Sequence, residues 1–372
     1  MPSFRTAEVT EVISERRGLQ RLRVDMPDGS SARAYGLTQL IGTCGPGDRV
    51  VLNTTAVELD LGTGGWHFVH WNLSREEFVN PGPEHIMKMR YTSLQIDAGT
   101  DELNHPECDL PIDGVPVVVC SVHSQVATVA ASFAASAPHL NMVYVMTDGA
   151  ALPLALSDLV ATMADNGTIA GSITAGHAFG GDMEAVSVPA ALGLAVHTLG
   201  ADAVVVGMGP GVVGTGTALG TTAIEVAPIL DAVADAGGVP IMCVRASSGD
   251  PRPRHQGISH HTLTSARLTR SRPWVAPVPP EAADLPGVRA SGIGGTEDPP
   301  KILAMAGLKV TTMGRSVEED QLFFAAATAA GTLAATVATL GEASLGEASL
   351  GEDSAGASDA RDEAEDSNLD RE

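Results

Sequence analysis

Three arginines, three histidines and an aspartate fall within residues 245–262, RASSGDPRPRHQGISHHT. Arg252 and Arg254 are of the type that clamps a phosphate or carboxylate with two parallel hydrogen bonds. His255, His260 and His261 can move protons near neutral pH, with Asp250 to orient them. A polar connection this long inside a compact domain is more often functional than incidental. The plain alternative is a solvated surface loop.

A second feature lies upstream. The apolar run AVVVGM at 203–208 leads into GPGVVGTG at 209–216. Gly207, Gly209, Gly211, Gly214, Thr215 and Gly216 form a stretch nearly bare of side chains, followed by a helical pattern at about 221–236. Such loops let backbone N–H groups approach a phosphate or carboxylate near a helix N-terminus. Residues 209–214 match GxGxxG, but a dinucleotide fold should place an acid at the end of the next strand. Here Asp231 and Asp235 fall inside the predicted helix and Arg245 follows that strand. A generic anion cradle, a turn that serves packing and a nicotinamide or flavin site all remain open.

A third group occupies TDG at 147–149 and TAGHAFGGDME at 174–184. Asp148 and Asp182 can orient a histidine and His177 can act as acid or base. His177, Asp182, Asp250 and His255 together have the donor types of a divalent metal site. The competing reading makes Asp182 a helix N-cap with Glu184 in the first turn. Arg315, in VTTMGR, adds a further cation. Cys120 with His123 has the types of a nucleophile–base pair, against the simpler reading of a buried strand-end cysteine.

These residues need a frame. Residues 1–75 read as five or six short alternating strands separated by turn signals, a small β-barrel-like unit. Arg16, Arg17, Arg21 and Arg23 sit there as a solvated strand face. Residues 76–112 read as a connector, with a strand at 85–92 carrying exposed cations. From 113 to 340 short apolar runs alternate with helices. Strands are expected at 115–121, 140–146, 168–173, 203–208, 239–244 and 308–312. Helices are expected at 125–135, 152–164, 184–199, 221–236 and 317–340. This is the pattern of a Rossmann-like, doubly wound, mainly parallel α/β sheet covered on both faces. In such a sheet ligands bind beyond the carboxyl ends of the strands, where the polar loops just described recur.

The chain of 372 residues carries a formal net charge of −23, which disfavours nucleic acid and anionic membranes as partners. Eleven acids against two arginines lie in residues 341–372, where a GEASL repeat predicts a disordered acidic tail. Cys44, Cys108, Cys120 and Cys243 form no CxxC pair, and with no apolar leader they fit a cytoplasmic chain. Residues 321–341 are long enough to cross a bilayer, but rich in Ala, Thr and Gly, and are expected as a buried helix.

The segments 147–153, 174–186, 206–220, 249–262 and 310–315 resemble a bacterial family catalogued as domain of unknown function 3866. The resemblance spans about residues 1–335. It implies no activity, cofactor or catalytic residue. The residues themselves point to an enzyme, a hydrolase or group transferase, acting on a small anionic, phosphorylated or nucleotide-like substrate. In that reading the glycine loop holds the anion and Arg252, Arg254 and Arg315 neutralise it. Two other readings stand beside it: a metabolite-binding or scaffold protein without catalysis, and a dinucleotide-dependent oxidoreductase. A divalent metal or nucleotide cofactor and a homo-oligomer are compatible with each.

Overall fold

The computed structural model describes residues 2–83, 86–150, 153–294 and 297–346. The N-terminal strands β1 (Phe4–Arg16), β2 (Leu19–Asp25), β3 (Ser31–Leu37), β4 (Arg49–Asn53) and β5 (Trp66–Asn72) close into a barrel in the order β1-β2-β3-β5-β4. Alternation is the cause. Leu22, Val24, Val50 and Leu52 point inward at every second position, while Arg21, Arg23 and Arg49 point out. The outward arginines are not a free solvated face. Arg16 and Arg21 both reach Asp158 at 2.6 Å, and Arg17 reaches Asp182 at 3.0 Å. Three of the four basic residues therefore dock the barrel on the α/β unit, and only Arg23 pairs within the barrel, with Glu11.

In the connector β6 (Met87–Lys88) pairs with β7 (Ile96–Asp97). This strand is much shorter than expected, and His85 lies outside the described residues. Lys88 is buried rather than exposed. Its Nζ donates to Glu184 at 2.6 Å and to the carbonyls of Ala178 and Thr174.

The strands β8 (Pro116–Val119), β9 (Met142–Thr147), β10 (Gly171–Ala175), β11 (Met183–Ala185), β12 (Ala203–Met208) and β13 (Val239–Met242) build most of one parallel sheet. After β13 come β14 (Ala246–Ser247) and β15 (Gly257–Ile258), a separate antiparallel pair. Then β16 (Trp274–Val275) and β17 (Arg289–Ala290) complete the large sheet, whose order is β11-β10-β9-β12-β8-β13-β16-β17. The central strands are apolar throughout because helices cover both faces. Helices His123–Ser136, Pro299–Met305 and Gln321–Leu340 pack on one side through Phe133, Ile302 and Phe324. Helices Val188–Gly193, Val226–Asp235 and His260–Leu268 pack on the other through Leu192, Ile229 and Ala266.

The expected Rossmann-like sheet is present, with local departures. Residues 183–185 form an edge strand, so the helix expected from 184 begins at Val188 and Asp182 caps nothing. The segment 308–312 is not a strand, although Leu308 and Val310 are buried. Helix Gln321–Leu340 is long and apolar enough to cross a membrane, yet it packs against helix His123–Ser136. The contact is close at Gly331, where a side chain would strike the Val129 carbonyl. The ordered body also runs past 340. Residues Glu342–Leu345 form a 3-10 turn in which Leu345 is buried and Glu342 accepts from Trp274 Nε1 at 2.7 Å. The acidic tail expected from 341 thus begins with a packed turn, and its residues 347–372 lie outside the described residues.

Leu345→Ala should destabilise the protein by about 2–4 kcal/mol, the cost of emptying a buried leucine site. Urea unfolding measures it. A value near zero would show that this turn adds nothing to the core.

Candidate functional site

β12 and β13 flank β8, so the segments that leave their carboxyl ends face each other across one strand. The segment after β12 does not enter a helix directly. It folds back on itself: Thr215 N–H donates to the Gly220 carbonyl at 2.8 Å and Thr222 N–H to the Val213 carbonyl at 2.9 Å. Helix Val226–Asp235 begins only after the 3-10 turn Thr222–Glu225. The tight strand-to-helix turn of a dinucleotide fingerprint is therefore missing. Gly207 lies within β12, where a side chain would meet Val126 and Cys120, and Gly209 is buried at the strand end. Gly207 therefore serves packing. Gly211, Gly214, Thr215 and Gly216 are exposed on the loop. Gly216 has a φ of +84°, and the Arg254 guanidinium carbon lies 3.8 Å from where its Cβ would stand.

The segment after β13 is anchored by Arg245, whose N–H donates to Thr262 Oγ1 at 2.9 Å. The β14–β15 pair makes it a hairpin, with the 3-10 turn Pro253–His255 at its far end. Ser259 then caps helix His260–Leu268. Asp250 is buried and takes two bonds from the Arg252 guanidinium, at 2.8 and 2.7 Å, one from the Arg252 backbone N–H at 3.0 Å and one from Arg315 at 3.2 Å. Hydrogen bonding to Arg252 holds its carboxyl far below the usual range. Arg315 also pairs with buried Asp320 at 2.9 Å. Asp250 thus orients arginines rather than a histidine. Arg252 and Arg315 each have internal partners. Arg254 is exposed and has no hydrogen bond or ion pair among the described residues.

A cleft of about 160 Å³ lies between the two segments, lined by Val212, Gly214, Gly216, Arg245, Arg252, Arg254, the three histidines and Met313. His255, His260 and His261 crowd together with ring centroids 4.4–5.0 Å apart. His255 and His261 are buried. Burial first, then Arg245, lowers His255 to about 4 and His261 to about 3. Burial and Arg254 lower His260 as well. These shifts all favour the neutral ring at pH 7. One nitrogen from each lies within 4.8 Å of the others, a spacing that three ligands of a metal ion can adopt. Burial lowers Arg245 to about 10, which leaves it charged.

The third group does not join this cleft. Asp182 accepts from Ser172 and from Arg17 of the barrel, so it holds the barrel interface. Asp148 accepts the His177 N–H at 3.1 Å, and His177 Nδ1 accepts from the Met89 N–H at 3.0 Å. The four-residue metal group drawn from His177, Asp182, Asp250 and His255 is not supported, because the last two belong to the other side of the sheet and Asp250 is clasped by arginines. Cys120 is fully buried, and burial pushes its thiol up. His123 faces Ser157 Oγ at 2.7 Å instead.

Sequence reasoning missed Arg245 as the buried cation behind the histidines. It also missed Glu225, just past the glycine loop, which accepts from Thr147 Oγ1 at 2.7 Å. Burial, with Asp148 nearby, raises Glu225 to about 7. Inside a helical pattern an isolated glutamate reads as solvated, so nothing in the sequence marked it.

A family model described as a protein of unknown function (DUF3866) matches residues 33–331, and the chain belongs to that family. The match begins within β3, so β1 and β2 lie outside it. No curated protein and no solved structure matches the chain.

The Glu225 carboxyl binds its proton more tightly folded than unfolded. The Glu225 contribution to folding stability should therefore be lost as pH rises from the ordinary carboxylate value of about 4.3 to about 7, by a few kcal/mol, while the lowered histidines contribute in the opposite sense below about 6.5. Glu225→Gln should remove this loss, so that the variant gains more stability than the wild type between pH 5 and pH 8. Urea unfolding at pH 5 and pH 8 checks it; equal changes in both proteins would refute the assignment.

Proposed function

We propose that this member of the family binds a small anionic molecule, bearing a phosphate or carboxylate, in the cleft between the glycine-rich loop and the arginine–histidine segment. One observation carries the reading. Arg254 stands at the cleft with no partner among the described residues and leans on Gly216. Behind it, Arg252 and Arg315 are fixed by Asp250, and Arg245 is buried and charged. Arg252 and Arg315 are balanced by Asp250 and Asp320, so among the described residues the uncompensated positive charge at the cleft is that of Arg245 and Arg254. The exposed glycines allow a ligand to approach the backbone closely.

Turnover by hydrolysis or group transfer is a second reading. It is favoured by Glu225, a carboxyl at about 7 suited to take or give a proton at neutral pH, which lines a separate pocket with Thr222 and Asp231 and not the anion cleft itself. The oxidoreductase reading loses ground, since the loop folds back before its helix begins. Cytoplasmic location remains part of this proposal on the strength of the unpaired, buried cysteines.

Calorimetric titration with inorganic phosphate and with succinate tests the cleft. Binding of at least one is expected. Arg254→Ala should weaken it by about 1.5–3 kcal/mol, the range for a bond to a charged group, with little change in Tm because the side chain is exposed. Gly216→Val should weaken binding too, because valine resists a positive φ. If wild-type protein takes up neither anion, the proposal fails.

A further inference from the structure

The hydrogen bonds around the three histidines decide which nitrogen carries the proton. A guanidinium offers only donors and has no lone pair. Arg245 Nη1 lies 2.9 Å from His261 Nδ1, so Nδ1 is the acceptor and the ring proton sits on Nε2. Ser259 Oγ accepts the His261 N–H at 3.3 Å as the helix cap and lies 2.8 Å from His255 Nδ1. Its own hydroxyl proton has no other acceptor among the described residues. It goes to His255 Nδ1, which places that ring's proton on Nε2 as well. The third ring, His260, has its Nε2 buried without a partner among the described residues.

Taking the anion-binding cleft as its starting point, we propose that His255, His260 and His261 are neutral N–H donors of an oxyanion site whose occupant is the phosphoryl group of a small phosphorylated molecule. The lone pairs of His255 and His261 are already used at Nδ1, so neither ring offers its Nε2 to a metal ion or acts as a base without first losing a bond. The charges agree. Arg245, Arg252 and Arg254 line the cleft with the cluster, and of the three only Arg252 has a carboxylate partner among the described residues, Asp250. Among the described residues no carboxylate lines the cleft. A divalent cation there would face guanidinium repulsion, whereas an anion would meet donors on every side. Three ring N–H groups and the two-pronged fork of Arg254 offer more donors than the roughly four lone-pair sites of a carboxylate can take, whereas the three terminal oxygens of a phosphoryl group can accept from all of them. The backbone N–H groups at the start of helix His260–Leu268 add to the same field.

Two measurements test this. Long-range proton–nitrogen NMR of histidine-labelled protein should show His255 and His261 as Nε2–H tautomers from pH 6 to 8. A proton on Nδ1, or doubly protonated rings, would overturn the assignment. In calorimetry, inorganic phosphate should bind the wild type, His260→Ala should weaken it about tenfold, and His260→Asn, which keeps an N–H donor, should recover part of the loss. Phosphate affinity unchanged in His260→Ala would overturn the proposal. So would one-to-one Zn²⁺ uptake that disappears in the same variant. Uptake of succinate without phosphate would overturn the phosphoryl assignment and leave the anion-binding cleft standing. Failure of both anions would remove both readings.

Discussion

The guanidinium of Arg315 joins two buried carboxylates, Asp250 and Asp320, and much else hangs on that junction. Asp320 stands just before helix Gln321–Leu340. Its oxygens take bonds from Ser247 Oγ and from the N–H groups of Ser248 and Gly249. Asp250 in turn holds Arg252. The C-terminal helix, the hairpin after β13 and the cationic wall of the cleft are therefore tied at a single knot. Buried charges of this kind are costly unless every oxygen is partnered, and here each carboxylate is multiply bonded. Their worth is in fixing position: an unconstrained segment of this length would sample many conformations and present no stable set of donors.

The sheet contributes the second constraint. Because β12 and β13 lie on either side of β8, their exits approach each other only at the carboxyl edge. The small residues beneath allow the close packing on which this depends. Gly207 passes beside Val126 and Cys120, and Gly331 lets helix Gln321–Leu340 settle against helix His123–Ser136. The cleft is thus a product of strand order and of missing side chains as much as of the charged residues that line it.

Much of this could be read directly from the amino acids. The barrel follows from alternation along β2, β3 and β4, and the central strands of the large sheet from apolar runs such as AVVVGM. The meeting of the glycine loop with the arginine–histidine segment followed from the rule that ligands gather at strand carboxyl ends. What escaped was pairing at a distance. Asp250 looked like a partner for histidines because it is near them in sequence, yet it serves two arginines, one of them from residue 315. Asp182 looked like a cap or ligand, yet it meets Arg17 across the barrel interface. Lys88 looked exposed because lysine usually is, and is buried because Glu184 and two carbonyls satisfy it. Local patterns carry burial and periodicity, whereas the choice among several eligible counter-ions is made by the three-dimensional path of the chain.

Arg254 at the lip of the cleft has a kinetic consequence. The chain as a whole carries −23, so an approaching anion meets repulsion over most of its path and attraction only within a few ångströms of that guanidinium. With a screening length of about 8 Å at physiological ionic strength, the two regimes are separable. Added salt dampens the long-range repulsion first, which speeds encounter, and weakens the short-range contacts less, because they are partly enclosed. Capture of an anionic ligand should then quicken with moderate salt, the reverse of the dependence shown by binding sites whose surroundings share the sign of their own charge.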